Sequence, residues 1–306
     1  MYDIIIIGGG PAGITSAIYA ARAGMNAVIF EKIGVGGQIL LTDTVENYPG
    51  FPMISGPELM QKFEEHVRKF DIEIKYEEVK EIKSNEKTHT VITEDGSYET
   101  YSVIIATGSS PRKLHVPNED KFIGRGVSYC AVCDGIFFKD KEVAVIGGGD
   151  AAIKESLYLT QMVKKVTVIH RRDKLRAELL LQRQAFNNPK IEFIWNHVVE
   201  KINGDEKFEG ITIRDVNDPE KKQVLNVAGV FVYIGHLPNT KFVDVEKTED
   251  GMIITDPCSL QTSKKGIFAA GDCRNICLRQ IATCVGDGAL AAYNAGEYVE
   301  RIKAGF

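Results

Sequence analysis

Residues 2–31 read YDIIIIGGGPAGITSAIYAARAGMNAVIFE, and this stretch decides how the chain begins to fold. The unbroken apolar run at residues 2–7 is typical of a strand in a parallel sheet that is covered on both faces. It is followed by a glycine turn with the spacing G-x-G-x-x-G, an alanine-rich helical stretch and a second apolar strand that ends at Glu31. This order of elements predicts a dinucleotide-binding unit, the simpler alternative being a glycine turn without a ligand.

The chemistry of this unit indicates which dinucleotide it suits. Glycines permit a tight turn and a close approach of the ligand to the backbone, and a helix N-terminus attracts the pyrophosphate. The carboxylate of Glu31 can accept hydrogen bonds from a ribose with a free 2′-hydroxyl, as in FAD. The predicted FAD contacts of this first copy are Gly8, Gly10, Pro11, Ala12, Gly13 and Glu31.

A second copy of the pattern begins at Gly147, 139 residues after Gly8, and its second strand ends at His170 instead of an acid. Two arginines follow directly, and a third comes one helical turn later. Guanidinium groups remove the repulsion against a 2′-phosphate and supply bidentate donors for it, so this copy is predicted to bind NADPH rather than NADH. The alternative is a solvated basic face. The predicted contacts are Gly147, Gly149, Asp150, Ala152, His170, Arg171, Arg172 and Arg176.

The remaining apolar runs indicate how the two copies are arranged. Strands are predicted at residues 103–105, 230–234 and 266–270, and a last helix is expected to open near Gly286 and aim its positive end at a flavin ring. The acid of Gly271-Asp272 can bind the ribityl hydroxyls of that flavin. We therefore predict an α/β protein with two Rossmann-like three-layer domains, the NADPH domain being inserted into the FAD domain. The expected boundaries are 1–112 and 239–306 for the FAD domain and 113–238 for the NADPH domain.

Six cysteines are present, and Cys130 and Cys133 have the spacing C-x-x-C. Beside βαβ patterns in a cytosolic protein this spacing favours redox chemistry. A zinc site that combines this pair with Cys273 and Cys277 is an alternative, but its halves fall in different predicted domains, and no metal is expected. The four cysteines outside the C-x-x-C pair are expected to be buried; they are Cys258, Cys273, Cys277 and Cys284.

Composition and charge exclude several classes of protein. The 306 residues are 44% hydrophobic and 26% charged, with a net charge of −5, so the chain has no bulk electrostatic reason to bind nucleic acid or anionic membranes. No apolar run approaches the roughly 18 residues of a membrane-spanning helix, and the first residues do not form a signal peptide. We expect a soluble cytoplasmic protein.

Taken together, these motifs resemble the bacterial low-molecular-weight NADPH-dependent thioredoxin reductases over essentially the whole chain. The combination of C-x-x-C-Asp-Gly at residues 130–135 with a second fingerprint shortly afterwards is the most specific part of this resemblance. The resemblance also implies a homodimer. The further cofactor-binding residues expected by position are Gly37, Gln38, Asn47, Ala106, Thr107, Gly108, Ile234, Gly235, Gly271, Asp272, Arg279 and Gln280.

The family resemblance implies an activity in which NADPH reduces FAD, FAD reduces the Cys130–Cys133 disulfide, and the dithiol reduces oxidised thioredoxin. Cys133 is then the sulfur nearer the flavin, Cys130 attacks thioredoxin, and the neighbouring Asp134 is the candidate acid/base, although Asp-Gly is also a common turn. Because one domain carries both the NADPH site and the disulfide, a domain rotation is expected about residues 113–117 and 234–239. The alternatives are another disulfide carrier (a glutaredoxin-like protein or a peroxiredoxin), a dithiol oxidase or a non-enzymatic redox sensor.

Overall fold

A computed structural model describes residues 1–42 and 44–305, with the side chain of Leu41 excluded. The chain forms two compact units, which are described separately below. Unit 1 comprises Met1–Ser110 and Leu237–Phe306, and unit 2 comprises Pro111–His236. Unit 2 is therefore an insertion in unit 1, and Phe306, the last residue of the expected FAD domain, lies outside the described residues.

The described residues contain seventeen strands. In chain order they are β1 (Tyr2–Ile7), β2 (Ala27–Phe30), β3 (Glu73–Lys75), β4 (Val79–Ser84), β5 (His89–Thr93), β6 (Ser97–Ile105), β7 (Ser109–Pro111), β8 (Val127–Ser128), β9 (Glu142–Ile146), β10 (Lys165–His170), β11 (Ile191–Trp195), β12 (His197–Asn203), β13 (Gly210–Asp215), β14 (Lys222–Leu225), β15 (Gly229–Val232), β16 (His236–Pro238) and β17 (Ile267–Ala269).

Six α-helices occur in the same described ranges: α1 (Pro11–Arg22), α2 (Gly56–Arg68), α3 (Ala131–Asp134), α4 (Asp150–Leu159), α5 (Leu179–Phe186) and α6 (Ile281–Lys303). Short 3₁₀ turns lie at Gly37–Leu41, Asp120–Phe122, Gly135–Phe138 and Gly271–Cys273. None of these helices is long and apolar enough to cross a membrane.

Unit 1 is built on a parallel sheet with the strand order β3-β2-β1-β6-β17, which β5 and β4 extend as an antiparallel hairpin. Successive isoleucines of β1 pack on opposite faces. Ile4 and Ile6 contact the layer of α1, α2 and α6, while Ile5 and Ile7 contact a cluster that includes Val79 of β4. Both faces of β1 are therefore covered, which explains its unbroken apolar sequence.

Unit 2 repeats this plan with the all-parallel order β11-β10-β9-β15-β8. Residues of α3, α4 and α5 pack on one face of this sheet, and the antiparallel sheet β12-β13-β14 packs on the other. The α/β architecture with two Rossmann-like three-layer units, one inserted in the other, is thus confirmed. The chain crosses between the units within β7 and β16, which pair with each other.

The predicted start of the last helix is wrong. The helix begins at Ile281, five residues before Gly286, because Gln280 and Thr283 form a reciprocal capping box there. The glycines expected to open the helix lie inside it. Gly288 packs against α1 so closely that a Cβ would overlap the carbonyl oxygen of Ala12, so close helix packing explains this interior glycine.

Candidate functional site

The first glycine turn connects β1 to α1, and its three glycines have three different environments. Gly8 has φ +112°, and a Cβ there would overlap the Ala106 carbonyl. A Cβ on Gly13 would overlap the Gly8 carbonyl, whereas Gly10 has nothing within 4 Å of this position. The first glycine thus forms the turn, the third allows the helix to pack closely, and the middle one leaves space for a ligand. Pro11 and Ala12 are buried in the first turn of α1, whose N-cap Gly10 provides no side-chain cap.

Glu31 lies directly after β2 and is held against this turn. Its Oε2 accepts a hydrogen bond from the Gly9 N–H at 2.7 Å, and its Oε1 accepts one from the Ile33 N–H at 3.0 Å. The carboxylate is therefore fixed beside the turn, in an orientation set by the backbone. Each oxygen retains acceptor capacity for a ribose hydroxyl.

Other predicted residues of unit 1 are brought to this region by the tertiary fold. A Cβ on Gly37 would lie 3.7 Å from the Gly10 Cα. Gln38 donates a hydrogen bond to the Ser110 hydroxyl at 3.3 Å. Residues 106–108 form the turn after β6, where the Thr107 hydroxyl donates to the Asn239 carbonyl at 2.7 Å and the Asn239 N–H donates to the Gly108 carbonyl at 3.1 Å.

Two predicted residues from opposite ends of the chain meet in unit 1. The Asn47 side-chain amide donates a hydrogen bond to Gln280 Oε1 at 3.0 Å across a sequence separation of 233. Asn47 also lines an open pocket of about 580 Å³ formed by residues 46–52. Because Gln280 is the N-cap of α6, this contact ties the loop of Asn47 to the start of the last helix.

Asp272 lies in the 3₁₀ turn that follows β17. Burial raises the pKa of its carboxyl group, while the Cys284 thiol, 3.5 Å from Oδ1, and the positive charge of Arg279 oppose the rise. Nε of Arg279 is buried and makes no hydrogen bond within residues 1–42 and 44–305. The buried Nε of Arg279 and the partly buried carboxyl group of Asp272, on which Arg279 acts through its charge, are suited to a ligand with phosphate and hydroxyl groups.

An ion pair that was not predicted from the sequence holds this turn. Arg274 donates two hydrogen bonds to Asp287 of α6, from Nε to Oδ2 at 2.6 Å and from Nη2 to Oδ1 at 2.8 Å. The Gly271 N–H also donates to Asp287 Oδ2, at 2.9 Å. The pair therefore connects both sides of Asp272 to α6. No sequence motif marks it, because the aspartate was interpreted as part of a glycine-rich helix start.

The second glycine turn, between β9 and α4 in unit 2, has the same division of roles. Gly147 has φ +148° and no space for a Cβ beside the Tyr233 carbonyl, while Gly149 has nothing within 4 Å of its Cβ position. Ala152 takes the third place and is fully buried. The side chain of Asp150, at the start of α4, accepts a hydrogen bond from the Glu178 N–H at 2.7 Å.

His170 ends β10, and its ring lies against the glycine turn, 2.5 Å from where a Cβ of Gly148 would be. Burial is the main cause of a lowered pKa for this imidazole, and the charges of Arg176, Arg171 and Arg172 lower it further. The three arginines are exposed, and each of them acts electrostatically on His170 at the end of the strand. The structure thus brings together the basic residues that the sequence analysis selected, at a site suited to an anion.

Ile234 and Gly235 follow β15 at the same end of the unit 2 sheet. Ile234 is partly exposed, and Gly235 has φ +116° with its carbonyl accepting a hydrogen bond from the Arg112 N–H at 2.9 Å. The residue just before the first predicted crossing segment, Arg112, is thus bonded to the loop after β15. Ile234 and Gly235 lie at the carboxyl end of a parallel strand, where α/β sheets bind ligands.

Cys130 and Cys133 form a disulfide, with their Cα atoms 5.3 Å apart. Cys130 is the N-cap of α3, and its sulfur accepts a hydrogen bond from the Cys133 N–H at 3.2 Å. The same N–H could stabilise a thiolate at Cys130 after reduction. Asp134 follows directly, and its backbone N–H donates to the Cys130 carbonyl at 3.0 Å.

Two side chains beside the C-x-x-C loop, those of Tyr233 and Glu155, were not predicted as site residues. The Tyr233 hydroxyl accepts a hydrogen bond at 2.5 Å from the N–H of Ala131, within the C-x-x-C loop. Burial, followed by the charge of Glu155, raises the pKa of Tyr233 well above its ordinary value. Burial also raises the pKa of Glu155, although a hydrogen bond with Tyr233 opposes this effect. Tyr233 has no distinguishing sequence signal, because it continues the apolar run of β15.

The other cysteines differ in part from expectation. Cys273 is buried and Cys284 is partly buried, but Cys258 and Cys277 are exposed, so the expectation that all four are buried is wrong. Both exposed cysteines lie in loops, where no packed layer covers them. Among the described residues no group of three or more His, Cys, Asp or Glu side chains could hold a metal ion.

Comparisons with known proteins agree with this geometry. The family of pyridine nucleotide-disulphide oxidoreductases matches residues 2–295. Thioredoxin reductase from Listeria monocytogenes is 47% identical over 306 residues, which is 99% of this chain and 95% of the relative. Thioredoxin reductase from Bacillus subtilis is 46% identical, with 99% and 96% covered.

A solved structure of thioredoxin reductase from Streptococcus pyogenes is also similar, with a TM-score of 0.91 and 48% identity over 98% of both chains. The resemblance inferred from the sequence is therefore confirmed. The family match covers nearly the whole chain, including both glycine turns and the disulfide between them. The chain belongs to the pyridine nucleotide-disulphide oxidoreductase family, whose members are redox enzymes.

Proposed function

We propose that this protein is an FAD-dependent enzyme that uses NADPH to reduce the disulfide of thioredoxin. The overall reaction is NADPH + H⁺ + oxidised thioredoxin → NADP⁺ + reduced thioredoxin. The observation that carries the proposal is the Cys130–Cys133 disulfide within the unit that also contains the arginine-rich nucleotide turn. The names of the relatives support thioredoxin as the substrate.

The residues of unit 1 fit FAD. The space beside Gly10 at the uncapped start of α1 would admit the pyrophosphate, and Glu31 would accept hydrogen bonds from the adenosine ribose. Asp272 would bind hydroxyl groups of the ribityl chain, and the orphaned Nε of Arg279 is a donor suited to phosphate. The other predicted FAD-binding residues of unit 1, from Gly37 to Gln280, remain part of this proposal.

The residues of unit 2 fit NADPH. The open space beside Gly149 matches that beside Gly10, so the backbone permits the same approach of a pyrophosphate. The two units differ in charge where the second strand ends: unit 1 has a carboxylate, and unit 2 has three guanidinium groups around His170. A 2′-phosphate is repelled by the first arrangement and attracted by the second.

The bound cofactors would supply the two electrons that open the disulfide. Opening the S–S bond consumes these electrons and one proton, and leaves Cys130 as a thiolate and Cys133 as a thiol. Asp134, adjacent to Cys133, is proposed to give one proton and take it back when the dithiol is reoxidised. The Cys133 N–H holds Cys130 as a thiolate, which attacks a sulfur of thioredoxin to form a mixed disulfide. Cys133 then displaces reduced thioredoxin and restores the enzyme disulfide.

We further propose that the protein is a cytoplasmic homodimer. Cys258 and Cys277 are exposed and form no disulfide, which favours a compartment that keeps thiols reduced. The dimer is supported by the family resemblance, and light scattering of the purified protein would measure it. A domain rotation about residues 113–117 and 234–239 stays a prediction.

Replacing one redox cysteine tests the proposed function. Cys133→Ser is expected to retain FAD and to oxidise NADPH with a small artificial acceptor, but to lose thioredoxin reduction entirely. The matched control is Cys258→Ser, at an exposed cysteine in a loop, which should reduce thioredoxin at the original rate. Thioredoxin reduction by the Cys133 variant would overturn the proposal. Faster reduction of a glutaredoxin-like protein or a peroxiredoxin than of thioredoxin would replace the proposed substrate.

A further inference from the structure

Ser128 lies at the carboxyl end of β8, two residues before the first redox cysteine. β8 is the edge strand of the unit 2 sheet and pairs in parallel with β15, so that Ser128 is opposite Phe231. The side chain is 4% exposed, so its position is set by the sheet of unit 2. A buried hydroxyl group normally has a hydrogen-bonding role, which here can be identified from its neighbours.

The Ser128 hydroxyl group connects the strand to both ends of the redox loop. It is 2.5 Å from Asp134 Oδ2, it accepts a hydrogen bond from the Cys130 N–H at 3.1 Å, and it lies 3.3 Å from the Cys130 carbonyl oxygen. A hydroxyl group has one proton to donate, and a carboxylate is a stronger acceptor than a carbonyl. The proton of Ser128 therefore points to Asp134.

The neighbouring residue keeps this strand end in place. The Tyr129 hydroxyl donates a hydrogen bond at 2.7 Å to Glu119, a carboxylate that is 3% exposed. Glu119 also accepts hydrogen bonds from the N–H groups of Leu114 and His115, both at 2.7 Å. The backbone that carries Ser128 is thus fixed from both sides, by the sheet and by this buried carboxylate.

We propose that Ser128 is a positioning residue that holds the carboxylate of Asp134 and favours its ionised form while the disulfide opens and closes. The inference rests on the proposed function, because it takes Asp134 as the group that exchanges a proton with the redox sulfurs. Ser128 loses no proton in the cycle. It donates one hydrogen bond to the carboxylate, and this donation stabilises the charged form relative to the neutral acid.

Other titratable groups act on the same carboxylate. Tyr233, at the end of β15, interacts electrostatically with Asp134, and Glu155 of α4 lies next to Tyr233. α4 also carries Lys154, which is exposed, and Asp150, which is bound to the Glu178 N–H. The two cysteines join this set once they are reduced. All of these groups remain unchanged in a Ser128 variant, so the hydroxyl group can be tested alone.

The test compares Ser128→Ala with Ser128→Thr, which keeps a hydroxyl group, and with Ser156→Ala as the control. Ser156 is also fully buried in unit 2, but its hydroxyl group donates to the Ala152 carbonyl within α4. The rate of thioredoxin reduction is measured from pH 5 to pH 9. Ser128→Ala should lower the rate about tenfold and move the acidic limb of the pH profile up by about one pH unit. Ser128→Thr should restore both, and Ser156→Ala should change neither.

A second measurement separates this inference from the proposed function. The Cys130–Cys133 pair is equilibrated with dithiothreitol buffers at each pH, and the reduced fraction is determined by thiol alkylation. The two thiols of the reduced pair also change the slope of the reduction potential against pH, so the break at lower pH, in the range where carboxyl groups titrate, is the one that reports Asp134. This measurement requires no protein substrate. Ser128→Ala should move this break to higher pH even if thioredoxin is not the substrate. An unchanged break and an unchanged rate profile in Ser128→Ala would overturn the role of Ser128. If Ser128→Thr is the only variant that folds, a Thr variant that matches the wild type in neither measurement would overturn it as well.

Discussion

The ion pair between Arg274 and Asp287 allows a quantitative test of how unit 1 holds its cofactor turn. The side chains are only 14% and 11% exposed, and they form two hydrogen bonds with each other. These bonds raise the pKa of Arg274. Removing one member of a buried pair leaves an uncompensated charge, at a cost of about 3–5 kcal/mol. Because some solvent reaches both groups, we expect about 3 kcal/mol for Arg274→Met and for Asp287→Asn.

The double variant should be much less destabilised than the sum of the single variants. With both charges removed, the asparagine oxygen can still accept the hydrogen bond that Gly271 now donates to Asp287. We therefore expect a cost of about 1–2 kcal/mol instead of about 6, which is a coupling energy of about 4 kcal/mol. The FAD affinity of each single variant should also fall, because the pair holds both sides of Asp272.

Urea unfolding of the flavin-free protein measures these costs. With a slope of about 2 kcal/mol per molar urea, each single substitution should lower the midpoint by about 1.5 M. The only tryptophan, Trp195, lies in unit 2, so its fluorescence follows that unit separately from the circular dichroism of the whole chain. The urea midpoint is expected to shift in the unfolding transition of unit 1, which circular dichroism follows, and not in the transition of unit 2 that Trp195 fluorescence follows. Single substitutions that cost less than about 1 kcal/mol, or whose costs simply add, would show that the ion pair does not stabilise unit 1 in this way.

Three further outcomes are expected. Gly149→Ala should leave the melting temperature unchanged, since φ is −96° and no atom lies near the new Cβ, yet weaken NADPH binding about a hundredfold by calorimetry. Arg172→Gln should raise the KM for NADPH about tenfold without raising that for NADH, and an equal effect on both would contradict a 2′-phosphate site. Burial lowers the pKa of His89 from 6.5 to about 4, so protonation favours the unfolded chain. The free energy of unfolding should therefore fall by up to about 3 kcal/mol as the pH drops from about 6.5 to 4. Urea midpoints measured across this range should show no such loss in His89→Gln, whereas the control His66→Gln, at an exposed histidine, should still show it.

Local sequence was sufficient for the elements that depend on neighbouring residues. The strand at Tyr2–Ile7 and the alanine-rich helix after it were predicted correctly, because apolar periodicity and glycine turns act over a few residues. The start of α6 was predicted wrongly. Its glycines indicate a helix boundary by local propensity, but at Gly288 glycine is required by the close packing of α1.

Most contacts within the candidate site could not be predicted, although its residues could. Asn47 and Gln280 were both selected by family resemblance, yet their hydrogen bond joins positions 233 residues apart. Tyr233 was interpreted as part of a strand, and only the fold brings its hydroxyl group to the Ala131 N–H. Such contacts depend on how layers pack, and no local pattern encodes them.

The two glycine turns, the opposite charges beside them and the paired cysteines could all be recognised from short stretches of residues. Each of these features depends on residue type and short spacing, which any chain with the same local sequence would share. By contrast, the hydrogen bond from Ser128 to Asp134 and the ion pair of Arg274 with Asp287 depend on the packed fold. A hydrogen bond needs donor and acceptor within about 3 Å and in line, and that geometry exists only after the sheets and helices have packed.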